Sequence, residues 1–406
     1  MKRPLPKAAL LVLAVLLGIM ALGLLSWYIP KEHDLEPSRR KLELERALAE
    51  AKPGSVILLE PGVYEGGIYV ENLRGEPGKP IVIGAEDPLN PPVINGGREC
   101  LHLVEPAYVE VRDIIFSGAS ENGLNVDDGG SYETPAIIIT LRNLKVVDIG
   151  PEGNRDGIKM SGVDSFAIEN CTVERWGSGG SGIDLVGCHN GIIVGCVFRH
   201  GDDVGASGIQ VKGGSCNVTI RGCRFEHAGL RAVNIGGSTD MGYFRPQPPP
   251  GYEAKGVLVE GCVFLGSEAP IAFVGAEGSA ARFNTIYRPR RWILRILQET
   301  VGPGFAPCRD CDFTDNVIYF MSREIAEAVN VGSNTSPETF RFARNFWYAA
   351  DDPGSSAPIL PVEEEDGVYG LDPDFADPEG GDFRLKPGSP ATGKGAFAQA
   401  DEAEGE

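Results

Sequence analysis

A chain of 406 residues with 42% hydrophobic content is long enough to bury a sizeable core, and its formal net charge of −20 excludes general attraction to nucleic acid or anionic lipid, which relies on Lys and Arg neutralising phosphates. The 54 Gly and 30 Pro argue against overall disorder and for many short elements separated by turns, an all-β composition.

Residues 8–28 form an apolar run behind Lys2, Arg3 and Lys7, long enough to cross a hydrocarbon core as one helix. A cleaved signal segment is the rival reading, but its apolar part is usually shorter and no small-x-small cleavage site comes after it. An anchor over residues 1–34, with its basic flank inside, leaves everything after Pro30 outside the cytoplasm, membrane-anchored, or secreted if the segment is cleaved. Within 35–52, Ser38 to Ala51 reads as a helix with Leu44, Ala47, Leu48 and Ala51 on one face, stopped by Pro53-Gly54. It is expected to cap the open strand edge of the body that begins at Pro53.

From 53 to 350 the chain repeats itself. A short strand recurs as VRDIIF, LRNLKV, IENCTV, IVGCVF, IRGCRF, VEGCVF, ARFNTIY, FTDNVIY and ARNFWY, with a shared column of Asp113, Asn143, Cys171, Cys196, Cys223, Cys262, Asn284, Asn316 and Asn345. A second set, GIKMSG, GIDLVG, GIQVKG, AVNIGG, PIAFVG and AVNVG, alternates apolar and polar residues. Period two points Ile158, Ile183, Ile209, Val233 and Ile271 inward. The 25-residue steps from Cys171 to Cys196 and from Gly157 to Gly182 suit one three-strand coil per repeat. No helical crossover fits between the strands, which disfavours a doubly wound α/β fold. The expected fold is therefore all-β, a parallel β-helix, with residues 351–396 covering its C-terminal end and 397–406 a solvated acidic tail.

The entry PGSVILLEPGVYEG (53–66), the stacked Asn/Cys column and the closing LDPDFADPEGGDFRLKPGSPA (371–391) resemble the pectin-lyase-like superfamily of right-handed parallel β-helices across residues 36–395. That resemblance implies the fold and is nearly silent about a reaction.

Nine cysteines is an odd number for a compartment that permits disulfides. Side chains of a ladder column point the same way, so these residues are expected to be buried thiols that fill space. Cys308 and Cys311 form a CxxC without further metal ligands or a thioredoxin-like context, and read as a local disulfide or plain thiols.

The outward neighbours of the inward strand residues form a polar row: Lys159 and Ser161, Asp184, Gln210 and Lys212, Asn234, then Arg295 and Asn330. Four residues after the ladder position come Arg175, His200, His227 and Arg288, and the same coils supply Asp202, Asp203 and Arg231. If these turns rim the row, cations and two imidazoles line one groove of an acidic protein, which suits an anionic polysaccharide. His102 and His189 read as structural. The loop between Gly237 and Gly256 offers Tyr243, Phe244, Arg245 and Tyr252 to sugar rings. The stretch TIYRPRRWILRILQE adds Arg288, Arg290, Arg291 and Arg295, with Trp292 packing on the core or on a substrate.

Cleavage of a uronate polysaccharide by β-elimination needs a cation on the carboxylate, a base for the adjacent proton and an acid for the leaving oxygen. Lys212 is the candidate base if neighbours such as Arg231 and partial burial favour its neutral amine, and Arg231 is the candidate neutraliser. His200 or His227 would be the alternative base or the acid. Lys159, Arg175, Asp184, Gln210, Asn234, Arg288, Trp292 and Arg295 are the candidate substrate-binding groups. SGIQVKGGSCNVTIRGCRFEHAG (207–229) resembles the catalytic coil of polysaccharide lyase family six, the chondroitinase-B and alginate-lyase group; the resemblance assigns that family's Lys to Lys212 and its Arg approximately to Arg231. The acidic calcium ligands that precede the family's Lys are replaced here by Gly205, Ala206 and Ser207. No metal or cofactor is expected on this ground, calcium being the one ion the resemblance would allow.

Two other readings stand beside lyase or epimerase chemistry. The same row would serve a non-catalytic polysaccharide-binding or envelope protein. NRDGI (154–158) and GDD (201–203) partly match polygalacturonase motifs, but Asp156 and Asp202 are about two coils apart and the companion GHG is missing. No Walker loop, HExxH, Rossmann fingerprint or Ser-His-Asp elbow occurs in a convincing context.

Overall fold

The computed structural model describes residues 32–131, 133–202 and 205–398. The apolar run 8–28 and the acidic end from Gln399 lie outside the described residues. Within the described residues no helix is long and apolar enough to cross a membrane.

Helix α1, Glu32–Ala49, starts six residues earlier than its apolar spacing suggests. It buries Leu44 and Leu48 against the first coil, and Lys41 Nζ donates to Gly66 O at 3.0 Å and Arg40 Nη1 to Pro61 O at 3.2 Å. The helix therefore closes the N-terminal opening of the solenoid with both apolar and polar contacts.

Each coil then gives one strand to each of three parallel sheets, which begin with Val56–Leu59, Val63–Glu65 and Ile68–Glu71 and are called first, second and third here. Among the described residues they hold 13, 12 and 10 strands. In the third sheet Ile158, Ile183, Ile209, Val233 and Ile271 stand in register, all fully buried, as the alternation requires. In the second sheet the rings of Phe198, Phe225 and Phe264 stack at 4.9 and 4.8 Å, the spacing of successive strands. The first Gly of each GI pair belongs to this packing. A Cβ on Gly182 would lie 2.7 Å from Gly208 O and 2.9 Å from the Phe198 ring.

The ladder column needs one correction. Strand register places Ile114 and Leu144, not Asp113 and Asn143, in line with Cys171, Cys196, Cys223, Cys262, Asn284, Asn316 and Asn345. Asp113 and Asn143 fall one place earlier, with Asn170, Gly195, Gly222 and Gly261, where every φ is positive (57° at Asp113, 53° at Asn143). Asp, Asn and Gly tolerate that left-handed turn, so the apparent single column is two columns with different causes. The inward column satisfies a buried turn N–H from the next coil. Cys262 N donates to Asn284 Oδ1 (3.0 Å), Asn284 N to Asn316 Oδ1 (2.9 Å) and Asn316 N to Asn345 Oδ1 (3.0 Å), while Cys171 N and Cys223 N use Cys196 Sγ and Cys262 Sγ at 3.4 Å. All nine cysteines are free thiols; Cys308 and Cys311 are buried and unbridged.

Residues 351–396 do more than cover the last coil. The hairpin Phe375–Asp377 and Asp382–Leu385 lays Phe383 against Tyr287 at 5.0 Å, forming a second apolar cluster with Val263, Val317 and Phe346 on the outside of the second sheet. That face is thereby closed at its C-terminal end.

Asn316→Leu keeps the volume but removes the acceptor for Asn284 N and the donor to Ala281 O (3.1 Å). The expected loss is roughly 3 kcal/mol, read as a lower midpoint in chemical denaturation. An unchanged midpoint contradicts the role given to the amide ladder.

Candidate functional site

Backbone pairing sets Tyr69, His102, Asn125, Lys159, Asp184, Gln210, Asn234, Ala272, Arg295 and Asn330 at one outward position of ten successive coils of the third sheet. The row continues through WILRIL, as the sequence spacing predicts.

At its centre lies an ionic cluster. Lys159 Nζ contacts Asp184 Oδ2 and lies 3.5 Å from Asp156 Oδ2. Lys212 Nζ lies 3.3 Å from Asp184 Oδ1 and donates to Gln210 Oε1 at 3.3 Å. The first of these Lys212 contacts is an ion pair without hydrogen-bond alignment, since Asp184 Oδ1 has no hydrogen-bonding partner. Ser181 ties the cluster together, its N–H donating to Asp156 Oδ1 at 2.7 Å and its hydroxyl to Gln210 Oε1 at 3.4 Å.

The two carboxylates are only 2% and 1% exposed, while the side chains of Lys159 and Lys212 keep 22% and 16% of their surface. The acids are thus the floor and the ammoniums the part that meets solvent. Burial opposes ionisation of Asp184, but Lys159 and Lys212 outweigh it and hold the carboxyl below the usual carboxylate range. Burial and the neighbouring Asp184 charge push Asp156 up to about 6. Burial also opposes the charge on Lys159, yet Asp184 and Asp156 hold it protonated above the ordinary lysine range. The environments separate the two acids, so that Asp156 alone changes charge near neutrality.

Arg231 does not stand beside Lys212. It pairs with Ser207, five residues before Lys212 on the adjacent strand, a separation of about 17 Å at roughly 3.3 Å per residue. Its guanidinium instead meets Glu299 Oε1 at 2.7 Å and Asn234 Oδ1 at 3.3 Å. Arg295 lies near it, and burial together with the Arg231 charge lowers its pKa. The expectation that Arg231 supports a neutral Lys212 is corrected: the charged group next to Lys212 is a carboxylate.

The turn column sits at the corner between the second and third sheets, whereas Lys212 ends a third-sheet strand. Arg175 is bound to Asp148 (Nη2 to Oδ2, 3.1 Å) and Arg288 to Glu324 (2.9 Å). His200 Nε2 is 2.8 Å from Trp176 O with its ring against that indole. His227 lines an open cavity of about 570 Å³ with Leu265, Tyr287, Arg288, Arg290 and Glu324 on the second-sheet side. These four residues therefore do not converge on Lys212, because a strand's length lies between.

Two further placements differ from the sequence reading. Phe244 is fully buried beside Phe305 (5.4 Å), and Arg245 forms a buried bidentate pair with Asp128 (2.7 and 3.0 Å), so this part of the loop is a strap and not a sugar platform. Trp292 is 8% exposed, with Arg291 and Arg295 each 4.1 Å from its ring, which leaves it no face for a ligand. Asp202, whose side chain is not described, leaves Asp184 as the recorded carboxylate neighbour of Asp156. Among the described residues no set of His, Cys, Asp and Glu is arranged for a metal ion.

Sequence reasoning missed Glu253. It is fully buried and accepts from Gly213 N (2.9 Å), Thr239 N (2.9 Å), Thr239 Oγ1 (2.7 Å) and Thr300 Oγ1, which fixes the turn directly after Lys212. Its only signal is an acid inside an otherwise Pro-rich loop, and its partners are 14 to 47 residues away.

The family described as right handed beta helix region matches residues 99–244, and the three parallel sheets are consistent with a right-handed parallel β-helix. A comparison with curated proteins finds no match. Among solved structures, pectate lyase Pel9A is 17% identical, with 86% of this chain and 85% of that chain covered and a TM-score of 0.51. An alginate lyase from Paenibacillus sp. str. FPU-7 is 16% identical (72% and 96% covered, TM-score 0.46). An endo-xylogalacturonan hydrolase from Aspergillus tubingensis is 12% identical (80% and 95% covered, TM-score 0.47). These likenesses are of fold.

Because the Asp156 carboxyl is raised to about 6 on folding, its contribution to stability is full below about pH 4 and is lost as pH rises through about 6. Asp156→Asn, which can still accept from Ser181 N–H, flattens the melting temperature between pH 4 and 7 relative to the parent. Parallel curves for parent and variant contradict this assignment.

Proposed function

We propose that the chain is an extracytoplasmic carbohydrate-active protein whose third-sheet face binds a uronate-containing polysaccharide and acts on it by lyase-type β-elimination, or by epimerisation, which starts with the same proton abstraction. The observation that carries this is the cluster in which buried Asp156 and Asp184 present Lys159 and Lys212 to solvent on an outward row of amides and arginines. Placement outside the cytoplasm rests on the apolar run 8–28.

Lys159, gripped by two carboxylates, is a fixed cation, and it takes over from Arg231 the role of countering the uronate carboxylate. Lys212 is held by one ion pair and one amide; once its ammonium has released a proton to solvent, the neutral amine takes the proton next to the uronate carboxylate and returns it to the leaving oxygen. Arg231 and Arg295, three coils and more away from Lys159, hold further carboxylates of the same chain. Hydrolysis by the two acids fits less well, because the Lys159 ammonium fills the space between them where a glycosidic oxygen would sit.

A second reading, non-catalytic binding, is favoured by one fact: the Lys212 ammonium is ion-paired with Asp184 and carries no lone pair to accept a proton. The full chain is incubated with a panel of uronate polysaccharides, with and without calcium, and followed at the ultraviolet band of an unsaturated uronate. Lyase action predicts a rise that Lys212→Ala and Lys212→Arg both abolish, the Arg variant retaining binding because it keeps the ion pair. No rise on any polymer and no exchange of the abstracted sugar proton with deuterated solvent, with salt-sensitive binding intact, selects the binding reading.

A further inference from the structure

Two coils before Lys159 on the same row, His102 is held between two carboxylates. Its Nδ1 lies 2.7 Å from Glu99 Oε2 and its Nε2 2.6 Å from Asp127 Oδ2. Burial opposes a charge on the ring, but Asp127 and Glu99 outweigh it and push the imidazole up to about 9, so at neutral pH both nitrogens donate. Asn125, on the intervening coil, donates to Glu99 Oε1 at 3.0 Å, and its Oδ1 has no hydrogen-bonding partner. Tyr69 stands edge-on to His102 (5.0 Å, 89°), is 55% exposed and donates to Glu71 Oε1 at 2.6 Å. Tyr69, Glu99, His102 and Asn125 line an open cavity of about 360 Å³.

The sign of this end matters. Glu71, Glu99 and Asp127 outnumber the one imidazolium, and Arg98 at the rim is paired with Glu121 at 2.6 Å. At the far end of the row Arg231 is paired with Glu299 at 2.7 Å, and Arg295 lies near Arg231. An acidic excess at this end does not suit a polymer that carries a negative charge on every residue. Carboxylates and an exposed aromatic face are instead what bind the hydroxyls and the ring of an uncharged sugar.

Resting on the reading of the groove given above, we propose that the His102 end is a subsite for an uncharged sugar residue, so that the ligand is a mixed polysaccharide of neutral and uronate residues. At a coil rise of about 4.8 Å, the subsite lies about 10 Å from Lys159, a few sugars along an extended chain. Glu99 and Asp127 select against a carboxylate at that place, and the cations from Lys159 to Arg295 select for one.

The test is calorimetric titration of the full chain, parent and variants, with two sets of oligosaccharides of equal length, one all uronate and one mixing uronate with neutral hexose. Expected is a preference of roughly tenfold for the mixed set. Glu99→Gln, and independently the solvent-exposed Glu71→Gln, raise affinity for the all-uronate set and close that gap, with folding checked by circular dichroism. Equal affinity for both sets, unmoved by either variant while Lys159→Gln weakens both, overturns the neutral subsite and leaves the groove standing. Failure of the parent to bind either set overturns the groove and the subsite together.

Discussion

Stacking of each coil on the last, at the spacing of hydrogen-bonded strands, is the constraint that governs everything else in this molecule. A side chain at a given position has the equivalent side chain of the next coil as its nearest neighbour, inside and outside alike. Inside, this demands columns of like apolar residues and a donor–acceptor relay through Asn284, Asn316 and Asn345. Outside, it brings opposite charges of neighbouring coils together. Arg142 reaches Glu169, Glu174 reaches Arg199 and then Glu226, and Glu260 is shared by Arg221 and Arg282. Exposed pairs of this kind contribute little individually.

The central cluster obeys the same rule with a different outcome. Asp156, Lys159, Asp184 and Lys212 alternate as the surface ladders do, yet here the acids are buried and two lysines are held at fixed positions above them. Burying two carboxylates is costly, and leaving either without its ammonium would cost more. Such an arrangement adds little to stability that apolar residues could not supply. What it does supply is a pair of oriented cations and one acid that titrates near neutrality, at the middle of the third sheet.

Most of the fold was legible because solenoid order is written as columns: the GI strands, the stacked Ile residues and the Cys and Asn positions needed only alternation and a 25-residue step. The slip at Asp113 and Asn143 arose because a left-handed turn residue and an inward ladder residue are neighbours, and Asn serves both purposes. The site was legible only along the row. Lys159, Asp184, Gln210, Asn234 and Arg295 were placed by alternation, whereas Arg231 was misjudged because adjacency in sequence pattern ignored its place at the other end of the strand. Glu253 and the Asp128–Arg245 pair were invisible, since the loop that unites them spans 117 residues of separation that no local pattern records.

The central claim is that the third-sheet face, and not the His227 cavity on the second-sheet side, is where an anionic polysaccharide lies. A crystal structure of the full chain with a bound uronate oligosaccharide tests it most directly. The account predicts sugar carboxylates within hydrogen-bond distance of Lys159 or Lys212, with the chain following the row toward Arg295. An oligosaccharide seated among His227, Tyr287 and Arg288, with the third sheet bare, would contradict it.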